Sequence, residues 1–227
     1  MLSKENNLSK NLISHIAPTS PVSEAYRTLR TNLFYSSVDK KLRSVMITSP
    51  DMQDGKTVTT CNLAISIAST ESKVLLIDAD LRKPSVHKQF NLPNKKGLTN
   101  LLLEDDLELD DVLYEIEGIK NLTVLTSGII PPNPAEILAS NRFKEVFRLL
   151  SRNFNVVLID TPPLCYVSDG MILAGMVDGV LLVISSKQTK INRAQFALNS
   201  LKKADANILG AVYTKVKTKT NEYYYAE

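Results

Sequence analysis

Val74-Leu75-Leu76-Ile77-Asp78-Ala79-Asp80-Leu81-Arg82-Lys83-Pro84 is the stretch on which the fold turns. Its first four residues are apolar without alternation, the pattern of a strand buried on both faces, as parallel sheets require. Two acids one residue apart follow at once. In an open α/β sheet the carboxyl ends of the strands form the ligand edge, so both carboxylates are expected there. Carboxylates this close repel each other unless they share a cation. Mg²⁺ held together with nucleotide phosphates is the natural one.

The same design recurs downstream and its complement lies upstream. Val156-Val157-Leu158-Ile159-Asp160-Thr161-Pro162-Pro163 ends a second apolar run on a single acid, as a Walker B segment does. Upstream, the run Ser44 to Ser49 enters Pro50-Asp51-Met52-Gln53-Asp54-Gly55-Lys56-Thr57 and then a helical pattern. In a phosphate loop, backbone N–H groups wrap the phosphates, lysine neutralises their oxygens and the adjacent hydroxyl ligates Mg²⁺. Asp54, Gly55, Lys56, Thr57 and Val58 are therefore the expected nucleotide-binding residues, although Pro50 stands where the GxxxxGK[ST] pattern wants glycine.

Further apolar, β-branched runs at Leu122 to Leu125, Val180 to Ile184 and Ile208 to Tyr213 extend the sheet. Helical spacing is read at Thr57 to Thr70, Asn133 to Phe154, Ser168 to Met176 and Lys190 to Ala204, with shorter stretches at Leu98 to Glu104 and Leu109 to Glu117. An amphipathic helix from Ser23 to Ser37, with Ser23 as N-cap, precedes them. The expectation is a doubly wound α/β fold: a mostly parallel sheet of about six to eight strands with helices on both faces. Residues 1–20 read as a flexible leader, 21–214 as one catalytic domain and 215–227 as a mobile tail.

Composition excludes several classes. With 27 basic and 24 acidic residues, the net charge of +3 gives no argument for nucleic acid or anionic lipid. Cys61 and Cys165 are distant and belong to no CxxC pair, which fits free thiols in a reducing compartment. The polar N-terminus lacks the apolar core of a secretory signal, and no uninterrupted apolar run is long enough to span a bilayer. A cytoplasmic location is expected.

The tail holds three of the eight tyrosines, Tyr223, Tyr224 and Tyr225. Three consecutive rings in a polar terminal segment cannot all face one interior. They read as a solvent-exposed cluster, where phosphorylation would add about −1.5 to −2 charge to each.

With these residues in view, the chain resembles the bacterial tyrosine kinases of capsule and exopolysaccharide synthesis, relatives of the MinD/ParA ATPases. The resemblance rests on the Asp78–Pro84 segment, similar to that family's Walker A′ motif, and on Asp160-Thr161-Pro162-Pro163. Ser127-Gly128-Ile129-Ile130-Pro131-Pro132-Asn133-Pro134 and the ExxRxxR element at Glu24, Arg27 and Arg30 support it. It implies that Lys56 and Thr57 hold ATP phosphates and Mg²⁺, that Asp78 and Asp160 organise the metal, and that Asp80 accepts the tyrosine proton. It also implies autophosphorylation of the tail within a ring-like homo-oligomer, with Glu24, Arg27 and Arg30 at the interface. The implied partners are a membrane adaptor of the polysaccharide co-polymerase type, which recruits the kinase to the inner face of the membrane, a cognate tyrosine phosphatase, and further protein substrates; no nucleic acid partner is implied.

Three departures stand out. Met52 and Gln53 replace the family's Pro-Gly, and glutamine costs about 1 kcal/mol or more if its position needs φ > 0. Asp51 occupies the place of the signature lysine of MinD and ParA. The last strand ends Tyr213-Thr214-Lys215, where relatives often have Asn-Lys. A MinD/ParA-like regulatory ATPase switch without kinase activity, and an inactive scaffold, are the alternative readings.

Overall fold

Among the described residues, seven strands make one sheet: β1 (Ser44–Thr48), β2 (Val74–Asp78), β3 (Leu113–Glu115), β4 (Leu122–Leu125), β5 (Val156–Asp160), β6 (Gly179–Ser185) and β7 (Ile208–Thr214). The structure is a computed structural model and describes residues 8–35 and 42–217. Strand order is β3-β4-β2-β5-β1-β6-β7, and every pairing is parallel except β3 with β4. The four apolar residues that open β2, and those that open β5, are buried throughout, as strands covered on two sides must be.

Nine α-helices are described: α1 (Ile13–Ile16), α2 (Pro21–Tyr35), α3 (Lys56–Ala68), α4 (Val86–Phe90), α5 (Leu98–Leu103), α6 (Pro134–Ala139), α7 (Asn141–Asn153), α8 (Asp169–Ala174) and α9 (Ile191–Lys203). They divide between the two faces. Leu12, Leu33, Leu63, Ile67 and Phe90 pack with Val45, Ile47, Leu76 and Leu158 on one face. Leu101, Leu138, Phe143, Leu150, Leu173 and Leu201 pack with Met46, Leu75, Ile77 and Ile159 on the other. Because α3 follows β1 on one face and α8 follows β5 on the opposite face, a crevice opens above the carboxyl ends of these adjacent strands.

Four local expectations are corrected. Asn133 to Phe154 is two helices, since Ser140 adopts ψ 155° and its side chain accepts the Phe143 N–H, starting α7 afresh. Leu109 to Glu117 is a 3₁₀ turn (Leu109–Asp111) followed by the antiparallel edge strand β3. Ser23 lies inside α2, buried, and its hydroxyl donates to the Ile13 and Ala17 carbonyls. The segment expected as a flexible leader is packed from Leu8 onward: Leu12 is fully buried, and Asn62 on α3 accepts the Ser14 N–H and donates to the Asn11 carbonyl. Both cysteines are free, with Cys61 buried and Cys165 partly exposed. No described helix is long and apolar enough to cross a membrane.

Candidate active site

The loop from Pro50 to Gly55 joins β1 to α3, and two of its residues sit in the left-handed region: Gly55 at φ 93° and Gln53 at φ 63°. Gly55 lets the backbone turn into the helix without the Cβ clash that any other residue would bring. Gln53 carries the cost that the sequence reading attached to a positive φ at this position.

The loop is held from behind. Asp54, expected among the nucleotide contacts, is fully buried, and its carboxylate braces the loop by accepting the Asp51 N–H (2.9 Å) and the Thr189 hydroxyl (2.7 Å). Thr214 at the end of β7 donates to the Asp54 carbonyl (2.5 Å), and the Lys215 ammonium donates to the Gln53 carbonyl (2.7 Å).

Lys56, the first residue of α3, reaches the two acidic segments at once. Its ammonium donates to Asp80 Oδ2 (3.1 Å) and Asp160 Oδ2 (3.2 Å). The Thr57 hydroxyl donates to the same Asp160 oxygen (2.6 Å), Thr60 donates to the other (3.2 Å), and Ser85 donates to Thr57 (3.1 Å). Asp78 and Asp160 are register partners on β2 and β5. Lys56, Thr57, Asp78, Asp80 and Asp160, named from sequence, thus converge at one rim, and Val58 joins Lys56 and Thr57 in lining the cavity there.

Asp78 is the member with a second task. Its Oδ2 accepts the Ser85 and Val86 N–H groups (3.0 Å each) and its Oδ1 the Asp80 N–H (3.2 Å), so it fixes both the start of α4 and the turn that presents Asp80. Burial, with Asp160 alongside, raises its pKa from 3.8 to about 7. Asp160 is raised by burial too, against the opposing pull of Lys56 and Thr57. Burial lowers the Lys56 ammonium, yet Asp160, Asp80 and Asp78 outweigh that and leave it above the ordinary lysine value.

Among the described residues, no three His, Cys, Asp or Glu side chains form a metal cluster on their own. Mg²⁺ is commonly held by one or two carboxylates plus substrate phosphates. The donor set here, an acid pair with a hydroxyl and an ammonium beside a left-handed glycine turn, fits such an ion arriving with a nucleotide.

Two pairings were missed from sequence. Arg82 forks onto the buried Asp169 of α8 (2.8 and 3.0 Å), fastening the acidic turn to the opposite helical layer. Asp51 accepts the Arg193 Nε–H (2.7 Å) and the Tyr166 hydroxyl (3.0 Å), while the Arg193 guanidinium lies 4.8 Å from the Tyr166 ring centre. The acid in the first turn of α8 was a signal for Asp169; nothing local marks Arg193.

Glu24, Arg27 and Arg30 are partnered within the chain: Arg27 pairs with Glu24 and donates to the Pro18 carbonyl, and Arg30 donates to the Ser66 carbonyl. Tyr223, Tyr224 and Tyr225 lie outside the described residues. The cavity at the rim has a volume of about 700 Å³. A larger hollow of about 1020 Å³ lies at the opposite edge of the sheet, around Lys73, Asn121 and Asn153.

A phosphate loop, a paired-acid strand end and a Walker B acid on one parallel sheet define a P-loop nucleotide-binding protein. The AAA domain family matches residues 53–211. Tyrosine-protein kinase YwqD of Bacillus subtilis is 44% identical over 221 residues, covering 97% of this chain and 92% of that protein. The putative tyrosine-protein kinase CapB of Staphylococcus aureus is 35% identical, covering 99% and 97%. The crystal structure of the chimerical protein CapA2B2 superposes with a TM-score of 0.89 at 36% identity, covering 92% of each chain. MinD of Pyrococcus horikoshii, solved with Mg-ADP, shares the fold at a TM-score of 0.63 and 24% identity, covering 75% of this chain and 69% of that one. The chain belongs to the bacterial tyrosine-protein kinases, enzymes that move a phosphoryl group from ATP to tyrosine.

Proposed function

We propose that this kinase uses ATP and Mg²⁺ to phosphorylate Tyr223, Tyr224 and Tyr225 of a second copy of the chain within a ring-like homo-oligomer. The observation that carries the reading is the convergence of Lys56, Thr57, Asp80 and Asp160 at one rim. Thr57 and Asp160, with Asp78 behind them, are the residues that would hold Mg²⁺, which supplies neutralisation of the phosphate charge. The loop amides from Gly55 to Val58 and the Lys56 ammonium bind and orient phosphate oxygens. Binding a nucleotide draws Lys56 from its two acids and leaves Asp80 free to accept the proton of the acceptor hydroxyl. Asp78 keeps Asp80 in position through the backbone bond between them.

The names of the relatives support the wider setting. A Staphylococcus relative is called CapB, and a Klebsiella relative is assigned to a cps region. In our reading the kinase regulates capsular or exopolysaccharide synthesis and export. A membrane adaptor activates it, as the fusion named CapA2B2 suggests, and recruits it from the cytoplasm to the inner face of the membrane. A phosphatase resets it and other proteins serve as further substrates.

The test is incubation of the full chain with labelled ATP and Mg²⁺, with and without Tyr223, Tyr224 and Tyr225 changed to Phe. Label on tyrosine that vanishes in the variant supports the proposal. Phosphate release without labelled tyrosine would favour the ATPase switch instead.

A further inference from the structure

The rim cavity has two unlike sides. Lys56, Thr57 and Asp80 form a charged floor, whereas Met52, Pro162, Pro163, Tyr166 and Val167 form a wall that is largely apolar. Met52 and Tyr166 stay 46% and 52% exposed beside it. A triphosphate needs donors and cations, and it gains nothing from such a wall.

The wall is built as a platform. Tyr166 is fixed in advance at both ends: its hydroxyl donates to Asp51, and its ring lies against Arg193, itself bonded to Asp51. A ring already immobilised loses little freedom when a ligand settles on it. Pro163 is rigid by its own chemistry, and the N–H that follows it, on Leu164, is bonded to the Ser49 carbonyl (2.9 Å). Met52 is an adaptable apolar contact, and its sulfur accepts from Lys83 across the cavity mouth (3.6 Å).

The wall also begins in the right place. Pro162 is two residues beyond Asp160, whose carboxylate holds Lys56 and Thr57, so the platform runs outward from the phosphate-facing acid. The opposite flank of the loop, at Gly55, is closed by Thr214, 3.4 Å from where a side chain there would begin.

We infer that Met52, Pro163 and Tyr166 form the surface that receives the aromatic ring of the acceptor tyrosine and so set the enzyme's preference for a phenolic over an aliphatic hydroxyl. This deepens the kinase reading and rests on it. An acceptor ring laid on the wall buries apolar area that serine or threonine does not have, in the same cavity that Asp80 lines. Asp51 and Arg193 act through Tyr166 as positioning residues.

The experiment uses the full chain with Tyr223, Tyr224 and Tyr225 changed to Phe, and a synthetic peptide of residues 217–227 as acceptor. Initial rates are measured against peptide and against ATP. With Tyr166→Ala the peptide KM rises about five- to tenfold while the KM for ATP holds. With Tyr166→Phe, which keeps the ring, the peptide KM rises no more than about twofold. Thermal shift by Mg-ADP, equal in all variants, checks that the loop is folded. A peptide KM that stays within about twofold in Tyr166→Ala overturns the inference. So does an ATP KM that rises in step, since the wall would then serve the nucleotide. A parent chain that labels no peptide removes the kinase reading itself, and the inference with it.

Discussion

Asp78 and Asp160 stand side by side as register partners at the final positions of β2 and β5, and the Lys56 ammonium bonds Asp160 while also reaching Asp80. Adjacent parallel strands end together, so two acids that close separate strands, 82 positions apart in the chain (160 − 78), come to share one local field. Their nearness is a cost in the free protein and an asset once a divalent cation is present.

That cost has a sign in pH. The folded Asp78 carboxyl titrates at about 7, against 3.8 ordinarily, so the folded chain keeps a proton that the unfolded chain releases. Asp78 then contributes stability that is whole below the ordinary value and is lost as pH rises through about 7. The nucleotide-free protein should melt at lower temperature at about pH 8 than at about pH 5, and Asp78→Asn should flatten that slope. Parallel melting profiles for parent and variant would remove Asp78 as the cause.

Lys56→Met takes away the cation that Asp80 and Asp160 share. Phosphoryl transfer should fall by at least about a hundredfold, because the positive charge facing the transferred group is lost. Single-turnover transfer of label measures this, with Mg-nucleotide affinity by calorimetry showing how much of the loss is binding.

Gln53→Gly should be gentle on structure and favourable in energy. The residue sits at φ 63° and contributes its backbone carbonyl to Lys215, which glycine retains. Relief of the left-handed strain, less the entropy glycine costs the folded chain, should leave a gain of about 0.5 to 1 kcal/mol. Equilibrium urea denaturation with an unchanged m-value is the measurement.

Gly97→Ala is the contrasting case, since its backbone is extended and only space is at issue. A Cβ there would lie 2.3 Å from the Thr126 carbonyl oxygen and 2.4 Å from the Gly128 nitrogen, both backbone atoms with no rotamer to change. A loss of about 2 kcal/mol or more follows from such overpacking. A urea midpoint equal to the parent's would count against it.

Most of the sheet was legible because β1, β2, β5 and most of β6 are buried on both faces and therefore written as continuous apolar runs, two of which, β2 and β5, end on acids. β3 was not, being three residues on an exposed edge, paired antiparallel, within a stretch that also carries helical spacing. The break at Ser140 was hidden because apolar spacing continues through it; only the serine three residues before Phe143 marks a new start. At the site, Lys56, Thr57, Asp78, Asp80 and Asp160 stand in local motifs at strand ends, so their meeting at one rim could be expected. Asp51 with Arg193, 142 positions apart, and Arg82 with Asp169 are bonds of tertiary origin that no window of sequence displays. Asp54 was named for its neighbours, whereas its buried carboxylate serves the loop itself.

The latch at the end of β7 gives this layout a mechanical side. Thr214 and Lys215 grip the carbonyls of Asp54 and Gln53, and residues 216–227 continue directly from that grip. The end of the last strand and the turn between β1 and α3 are thereby tied into one unit, so a displacement of Thr214 or Lys215 is carried directly to the backbone at Gln53 and Asp54.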